Sequence, residues 1–174
     1  APMNTLAAGV RVGLDACVRR ANADPAVRAI VLAGARPGPF CAGAEISEFA
    51  SGAATEGPNL NDVLRALERS AKPVCAAIDA VALGGGCEVA LSAHYRVAGA
   101  SARLGLPEVN LGILPGAGGT QRLPRVVGAE RALELILSGA HVGAERAEAI
   151  GLVDEVAPEG ADVVRAAKAL LLRE

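Results

Sequence analysis

Residues 72–91 read KPVCAAIDAVALGGGCEVAL, an apolar run that passes into three glycines and then carries a single carboxylate, Glu88. The stretch PVCAAIDAVAL predicts a buried β-strand, because strands covered on both faces are almost continuously apolar. Glycines after a strand allow a tight turn and a close approach of the backbone to a ligand. If Cys87–Ala93 is helical, its first N–H groups point into this turn and attract negative charge. A turn that simply requires positive φ explains the glycines equally well.

Strand and helix patterns alternate on both sides of this stretch. RAIVLAG (28–34) and HYRVAG (94–99) are typical of short buried strands, and residues 35–58, rich in Gly, Pro, Ala and Ser, predict a loop. Apolar spacing predicts a first helix over 6–21 with Val10 on its apolar face, and further helices over 60–67 with Asn59 as N-cap, 129–137 with Gly139 as a stop, 144–150 and 161–173. Strand–helix–strand alternation predicts an α/β class with parallel pairing. The length of 174 residues and the lack of a linker predict one domain over 1–174.

The composition argues against several classes of partner. Formal net charge is −2 and aromatic residues make up 2% of the chain, so we expect no binding to nucleic acid. No apolar run is long enough to span a membrane, which predicts no membrane partner and a soluble, cytoplasmic protein. We expect the four cysteines to be small buried residues, and the dispersed basic stretch from Arg122 to Arg131 to be a solvated face. Cys and His spacing predicts no metal site.

A second acid, Glu108 in LGLPEVNLG, also lies between apolar residues beside a glycine-containing turn. A buried carboxylate without a partner has a raised pKa, and two such groups suit general acid–base work. The small residues of FCAGAEIS (40–47) could supply one backbone N–H and the triple glycine another, forming an oxyanion hole. A structural role for each acid, with Glu88 stabilised in the first turn of a helix, remains the simpler alternative for either one alone.

Other chemical motifs are missing from the sequence. GAGGTQ (116–121) and the triple glycine both depart from the G-x-G-x-x-G fingerprint, and no P-loop occurs, so nucleotide binding is not predicted. His94 and His141 have no motif around them, and His94 is expected to pack or hydrogen-bond beside a strand. No G-x-S-x-G or Ser–His–Asp signature is present.

Four stretches together resemble the crotonase family, the enoyl-CoA hydratases and isomerases. They are FCAGAEI (40–46), KPVCAAIDAVALGGGCEVAL (72–91), LGLPEVNLGILPGAGGTQRLPRVVG (104–128) and GAERAEAIGLVDEV (143–156), in the order found in the family. The resemblance implies a spiral of ββα units, usually assembled as trimers or pairs of trimers, and a coenzyme A thioester as substrate. It also implies that no separate cofactor is needed, since coenzyme A is part of the substrate. HYRVA and GLPEV are most similar to the hydratase part of multifunctional β-oxidation enzymes.

The resemblance assigns roles position by position. Ala44 and Gly85 would offer the oxyanion-hole amides, and Glu88 and Glu108 match the two catalytic acids of hydratases. Glu88 would activate the water that adds to C3, and Glu108 would exchange the proton at C2. Backbone groups along the coenzyme A would come from Ala42, Ala44, Glu45, Ile46, Gly84 and Gly85.

The chain also departs from the family pattern. Glu45 stands where the family usually has Asp, which could alter a contact with coenzyme A. APMNTL resembles the end of an opening strand, and LLLRE stops before the family's C-terminal helices, so we expect a chain truncated at both ends relative to the family. A homotrimer or hexamer is expected if that C-terminal region is present.

Because both acids are present, the favoured activity is hydration of a trans-2-enoyl-CoA to a 3-hydroxyacyl-CoA in fatty acid β-oxidation, with isomerisation as a side activity. Two alternatives stay open at this point. One is an enoyl-CoA isomerase or another crotonase-type lyase, since some isomerases work with the equivalent of Glu108 alone. The other is a non-catalytic interaction module, as some relatives bind RNA.

Overall fold

The computed structural model describes residues 3–35, 39–45, 47–48 and 57–173, in which strands and helices alternate. The strands are β1 (Ile30–Ala33), β2 (Val74–Ile78), β3 (Val81–Leu83), β4 (Tyr95–Gly99), β5 (Arg103–Gly105), β6 (Val142–Gly143) and β7 (Glu155–Ala157). The helices are α1 (Ala8–Ala23), α2 (Leu60–Glu68), α3 (Gly85–Ser92), α4 (Gly119–Val127), α5 (Ala129–Ser138), α6 (Ala144–Ala149) and α7 (Val163–Leu171), with a 3₁₀ helix over Pro107–Leu111.

The strands form two sheets. Four strands pair in parallel in the order β1-β2-β4-β7, which confirms the predicted α/β class with parallel pairing. The second sheet has the order β3-β5-β6, with β3 and β5 parallel and β5 and β6 antiparallel. Strand β2 is covered on both faces: Val74, Ala76 and Ile78 belong to the larger core cluster, and the alternate residues Cys75 and Ala77 to the smaller one under α7.

The prediction of one strand over residues 73–83 is wrong, because this stretch forms two strands in different sheets. The chain turns at Ala80, whose φ of 55° is incompatible with a continuing strand. Neighbouring segments use the backbone oxygens at the turn: the Phe40 N–H donates to the Asp79 oxygen, and the Arg103 N–H donates to the Ala80 oxygen. The apolar run therefore contributes one strand to each sheet.

Several local predictions are confirmed with small changes of boundary. The side chain of Asn59 accepts a hydrogen bond from the Asp62 N–H at the start of α2, as expected of an N-cap. Gly139 ends α5 in the left-handed conformation, with φ of 64°. The first helix begins at Ala8 and buries Arg11 and Val18, whereas Val10, predicted on its apolar face, is 46% exposed.

The cysteines do not all lie in the core. Cys41, Cys75 and Cys87 are buried and Cys17 is exposed, so the expectation of four buried thiols is wrong for Cys17. Burial raises the pKa of Cys75 and of Cys87 to about 12, and it also raises that of Cys41.

Within the described residues, none of the helices is both long enough and apolar enough to cross a lipid bilayer.

Candidate active site

A cavity of about 340 Å³ opens where the first turn of α3 meets the 3₁₀ helix and the loop before α4. Its wall includes five of the predicted site residues: Ala44, Glu45, Gly85, Glu88 and Glu108. The rest of the described lining is Leu6, Arg11, Glu48, Leu60, Asn61, Ile113, Leu114, Gly116 and Ala117. Residues far apart in sequence therefore meet at one concave surface, as the predicted site requires.

Glu88 lies in the first turn of α3 and is 2% exposed. Its Oε1 accepts hydrogen bonds from the N–H groups of Ala117 and Gly119, each at 2.8 Å. The expectation of an unpaired carboxylate is therefore wrong for Glu88, because a glycine-rich loop turns two amides toward it. Burial raises the pKa of Glu88, while the two amide donors and the charge of Arg122 act in the opposite direction.

Glu108 lies in the 3₁₀ helix, directly after Pro107, and is 8% exposed. Its buried Oε2 has no hydrogen-bond partner among the residues that the structure describes. Burial is the main cause that raises the pKa of Glu108, and the negative charge of Glu88 raises it further. The protonated, neutral form of Glu108 is thereby favoured, since it alone escapes the cost of an uncompensated buried charge.

The backbone amides of Ala44 and Gly85 lie close together at the cavity wall. A Cβ built on Gly85 would be 3.6 Å from the Ala44 nitrogen, and one built on Gly43 would be 3.6 Å from the Gly85 nitrogen. In the described part of the chain, neither amide donates to a protein acceptor. Two neighbouring N–H groups that belong to cavity-lining residues and have no described protein partner are the donors an oxyanion requires.

Glycines make this close approach feasible. Gly43 has φ of 104°, and a Cβ there would lie 2.9 Å from the Leu83 oxygen. A Cβ on Gly86 would lie 2.3 Å from the Cys41 oxygen. Gly84 has φ of 53° at the N-cap of α3, and its own N–H donates to the Gly105 oxygen at 2.9 Å. The two explanations considered for the triple glycine therefore hold together: one glycine turns the chain, and the next two allow the backbone contact.

The remaining predicted contacts with coenzyme A are distributed unevenly. Ala42 is outside the cavity wall, and its N–H donates to the Met3 oxygen at 3.1 Å. Glu45 lines the cavity and accepts from the hydroxyls of Thr5 and Ser47, both at 2.7 Å, which holds the pKa of its carboxyl below the usual range. Ile46 lies outside the described residues.

Several groups at the site have no recognisable signal in the sequence. The amides of Ala117 and Gly119 were not predicted, although the cluster GAGG at 116–119 was noted and compared only with nucleotide-binding patterns. A buried ion pair was also missed: Arg11 Nη1 lies 3.0 Å from Glu48 Oε2 at the cavity wall. The sequence around Arg11 does not reveal this pair, because the partner Glu48 lies 37 positions later in the chain.

Two other residues can now be placed. His94 is outside the cavity wall, and its Nδ1 accepts a hydrogen bond from the Val74 N–H at 2.9 Å, which confirms the expected role beside a strand. The prediction of a solvated face is wrong for Arg122: its side chain is 11% exposed and pairs with Glu68 at 3.0 Å. No group of acidic, His or Cys side chains suited to a metal ion occurs among the described residues.

The arrangement joins two kinds of group that act on carbonyl chemistry. Two buried carboxyls in different electrostatic surroundings can remove and supply protons. Two amides at the start of a helix can stabilise negative charge as it develops on an oxygen. Such a site suits proton transfer at carbon atoms next to a polarised carbonyl group.

Comparison with known proteins is consistent with this geometry. The sequence profile described as enoyl-CoA hydratase/isomerase matches residues 1–173, so the chain belongs to the enoyl-CoA hydratase/isomerase, or crotonase, family. It is 54% identical over 155 residues to the peroxisomal bifunctional enzyme of Danio rerio, covering 89% of the chain and 21% of that protein. It is 42% identical over 164 residues to the glyoxysomal fatty acid beta-oxidation multifunctional protein MFP-a of Cucumis sativus, covering 90% of the chain and 22% of that protein.

A solved structure shows the same fold. The crystal structure of an enoyl-CoA hydratase from Bacillus anthracis matches with a TM-score of 0.89 and 36% identity, covering 99% of this chain and 68% of that one. The predicted crotonase-like spiral is thereby confirmed as the fold class. The chain spans about a fifth of the length of the two multifunctional relatives.

Proposed function

We propose that the chain is an enzyme, an enoyl-CoA hydratase, which adds water across the double bond of a trans-2-enoyl-CoA to give a 3-hydroxyacyl-CoA. The observation that carries the proposal is the meeting of Glu88, Glu108 and the unengaged amides of Ala44 and Gly85 at one cavity. Membership of the family supplies the substrate class, an acyl thioester of coenzyme A.

In this proposal the thioester oxygen binds between the N–H groups of Ala44 and Gly85. Adding oxygen at C3 of the enoyl group pushes electron density onto the thioester oxygen, which becomes enolate-like. The amides stabilise this charge more strongly than the neutral substrate, which is the requirement for lowering the barrier. The helix dipole of α3 has its positive end at Gly85 and acts in the same direction.

The two acids divide the proton transfers. Glu88, whose ionised form the two amide donors stabilise against the effect of burial, takes a proton from water as the oxygen bonds to C3. Glu108, whose protonated form burial favours, gives its proton to C2 as the enolate collapses. After one turnover Glu88 is protonated and Glu108 ionised, and exchange of a proton with solvent restores the starting state. The rate then depends on both ionisations and should follow a bell-shaped curve against pH.

Further parts of the proposal concern binding. Backbone groups of Ala42, Glu45, Ile46 and Gly84 would lie along the coenzyme A, with no separate cofactor required. The place of the reaction in fatty acid β-oxidation is supported by the name of the Cucumis sativus relative. A cytoplasmic location remains a prediction, since the Danio rerio relative is named as peroxisomal.

Association into a homotrimer or a hexamer of two trimers is the assembly we propose where the family's C-terminal region is present. Its support is an apolar surface beside the cavity, where five side chains are between 55% and 70% exposed: Leu111, Ile113, Leu114, Leu133 and Leu137. Exposed apolar side chains that cluster in this way are typical of protein–protein contacts. Sedimentation analysis across a concentration series would distinguish a monomer from a trimer.

The direct test of function is a spectrophotometric assay. The purified chain is added to crotonyl-CoA, and the loss of conjugated enoyl-thioester absorbance is followed. Turnover by the wild type that Glu88→Gln and Glu108→Gln each abolish would support hydration by these two acids. A folded wild type that binds coenzyme A without turnover would contradict the hydratase assignment and favour a non-catalytic module.

Isomerisation of a 3-enoyl-CoA to the conjugated 2-enoyl-CoA is the second candidate activity. Its support is the position of Glu108 at the cavity of the proposed enolate site: in its ionised form this carboxylate would take a proton from C2 and return it at C4, which needs no water. The appearance of enoyl absorbance from a 3-enoyl-CoA measures it. Retention of this reaction in Glu88→Gln would separate isomerisation from hydration.

A further inference from the structure

Arg122 lies one turn inside α4 and reaches back to the loop that holds Glu88. Its backbone N–H donates to the Gly118 oxygen at 2.9 Å, and its Nη1 donates to the Ala117 oxygen at 2.9 Å. Gly118 has φ of 92°, and a Cβ built there would lie 2.4 Å from Nη1, so the guanidinium packs directly against this glycine. One side chain therefore holds the turn whose amides, from Ala117 and Gly119, bind Glu88 Oε1.

The guanidinium is also fixed from its other side. Its Nη2 pairs with Glu68 Oε2 at 3.0 Å, and Glu68 is the last residue of α2. The Arg122 side chain is 11% exposed, and its buried Nε has no partner in the described part of the chain. Burying a guanidinium to this extent costs desolvation free energy, so favourable interactions elsewhere in the structure must offset that cost.

We propose that Arg122 is a positioning residue for Glu88, which acts through the Ala117–Gly119 loop by holding its two amides on the carboxylate and by placing a positive charge behind them. This inference rests on the proposed function, in which Glu88 must be ionised to accept a proton from water. Arg122 does not line the cavity and touches neither the substrate nor the reacting atoms.

The charge of Arg122 supports the ionised form of Glu88. It lowers the pKa of that carboxyl, against the larger opposing effect of burial. The other charged groups that face Glu88 or line the same cavity are Glu108 from the 3₁₀ helix, Arg11 from α1, and Glu45 and Glu48 from the segment after β1, while Glu68 of α2 acts through Arg122. Among the described groups, Arg122 alone combines a positive charge with a direct hold on the loop that binds Glu88.

The test compares two substitutions at one position by the pH dependence of kcat/KM for crotonyl-CoA. Arg122→Gln keeps a donor for the Ala117 oxygen but loses the charge. Arg122→Lys keeps the charge but loses the two-armed guanidinium that binds the Ala117 oxygen and Glu68 together. The acid limb is the low-pH side of this profile, where kcat/KM rises as Glu88 ionises. We expect Arg122→Gln to move the acid limb to higher pH by about one pH unit, the low end of the pKa shift that one opposite charge causes in a carboxyl. Arg122→Lys should keep the limb within a few tenths of a unit of the wild type.

Control variants separate this effect from general damage. Arg125→Gln removes a positive charge from the exposed face of the same helix and should leave the acid limb unchanged. Glu68→Gln leaves Arg122 charged but frees its outer end, and should lower kcat with little movement of the limb. If Arg122→Gln does not fold, Arg122→Lys and Glu68→Gln together still decide, because an undiminished kcat in both would overturn the proposal.

A readout independent of turnover keeps the inference distinct from the proposed function. The Glu88 carboxyl is titrated by carbon-13 NMR in protein with labelled glutamate, and its signal is assigned by Glu88→Gln. A pKa of Glu88 that rises in Arg122→Gln supports the inference even if the wild type fails to hydrate crotonyl-CoA. Equal loss of rate in both Arg122 variants, with unmoved titration and acid limb, would show a merely structural arginine and overturn it.

Discussion

Glu88 and Glu108 are the same side chain at the walls of the same cavity, yet their surroundings differ in almost every respect. Glu88 is in a helical first turn, beneath two amide donors and with an arginine behind them. Glu108 is in a 3₁₀ helix beside exposed apolar side chains and has a buried oxygen without a described partner. Burial favours protonation of both, but only the wall around Glu88 compensates a negative charge. In the proposed mechanism, local donors rather than residue type therefore separate a base from an acid among two identical groups.

The largest effect should come from removing either carboxyl. Glu88→Gln and Glu108→Gln should each lower kcat for crotonyl-CoA hydration by about 10²- to 10⁴-fold, the range of general acid–base catalysis. Calorimetric titration with coenzyme A should show that both variants still bind the ligand. A variant that keeps its rate within tenfold of the wild type would remove that residue from the acid–base pair.

A smaller effect is expected from disturbing the wall around Glu88 alone. A Cβ on Gly119 would lie 3.0 Å from Glu88 Oε1 and 2.9 Å from Leu106 Cδ1, so Gly119→Ala must shift the carboxylate or the loop. We expect kcat/KM to fall about 10- to 100-fold, as small misplacements of catalytic groups do.

Gly9→Ala is the matched control for that substitution. Gly9 is exposed in α1, and a Cβ there would meet nothing within 4 Å. Its activity should equal that of the wild type, and the better helix propensity of alanine should raise the melting temperature slightly. Full activity in Gly119→Ala would mean that the groups around Glu88 tolerate displacement, and would contradict the idea that their placement distinguishes Glu88 from Glu108.

Glu88 and Glu108 should also differ in their effect on the pH dependence of folding stability. A carboxyl with a raised folded pKa binds its proton more tightly in the folded state, so folding stability falls as pH rises through the interval between the unfolded and folded values. Glu108→Gln removes this loss and should stabilise the protein at pH 8 by about 1–3 kcal/mol, the cost of a buried group without a partner. The gain should disappear at pH 4, where the wild-type carboxyl is protonated.

Glu88→Gln should gain less at pH 8, because donors already compensate its charge. Urea unfolding of both variants at pH 4 and pH 8 measures the difference directly. Equal gains for the two substitutions would show that the amide donors and Arg122 do not distinguish the carboxyls.

The smallest effect is expected at the outer tether, the exposed hydrogen bond from Asn61 to Gly116 beside the loop that binds Glu88. Asn61 Nδ2 donates to the Gly116 oxygen at 3.3 Å in an exposed position, whereas Arg122 holds the adjoining turn from within. Asn61→Ala should change kcat/KM by less than about threefold, since an exposed hydrogen bond contributes little net free energy. Steady-state kinetics with crotonyl-CoA would detect a larger loss, and a drop beyond tenfold would make the outer tether as important as the inner one.

The sequence alone located much of this arrangement. Glu88 and Glu108 stand out in the sequence because carboxylates in apolar, glycine-broken surroundings are unusual, and the structure brings both to the cavity. Parallel pairing followed from the continuously apolar strands. The boundaries of α2 and α5 followed from apolar spacing, with Asn59 as a cap and Gly139 as a stop.

What the sequence could not supply depends on contacts between distant segments. The turn at Ala80 is held by Phe40 and Arg103, so an apolar run read locally looks like one strand. The amides over Glu88 come from residues about 30 positions later in the chain. Arg122 looks like one member of a dispersed basic stretch, and only the fold brings Glu68 and Ala117 to it. A charged residue on a short helix such as α4 does not indicate whether other segments will bury its face of the helix.

The placement of the thiols has a consequence for reagents. Cys41, Cys75 and Cys87 are shut inside the core with raised pKa values, so their reactive thiolate form is suppressed, even for Cys87 beside the proposed base. Cys17 faces solvent on α1, outside the cavity wall. Toward alkylating agents and mild oxidants, a folded chain with four cysteines should therefore behave as a protein with one. A fluorophore could be attached there without altering the candidate active site.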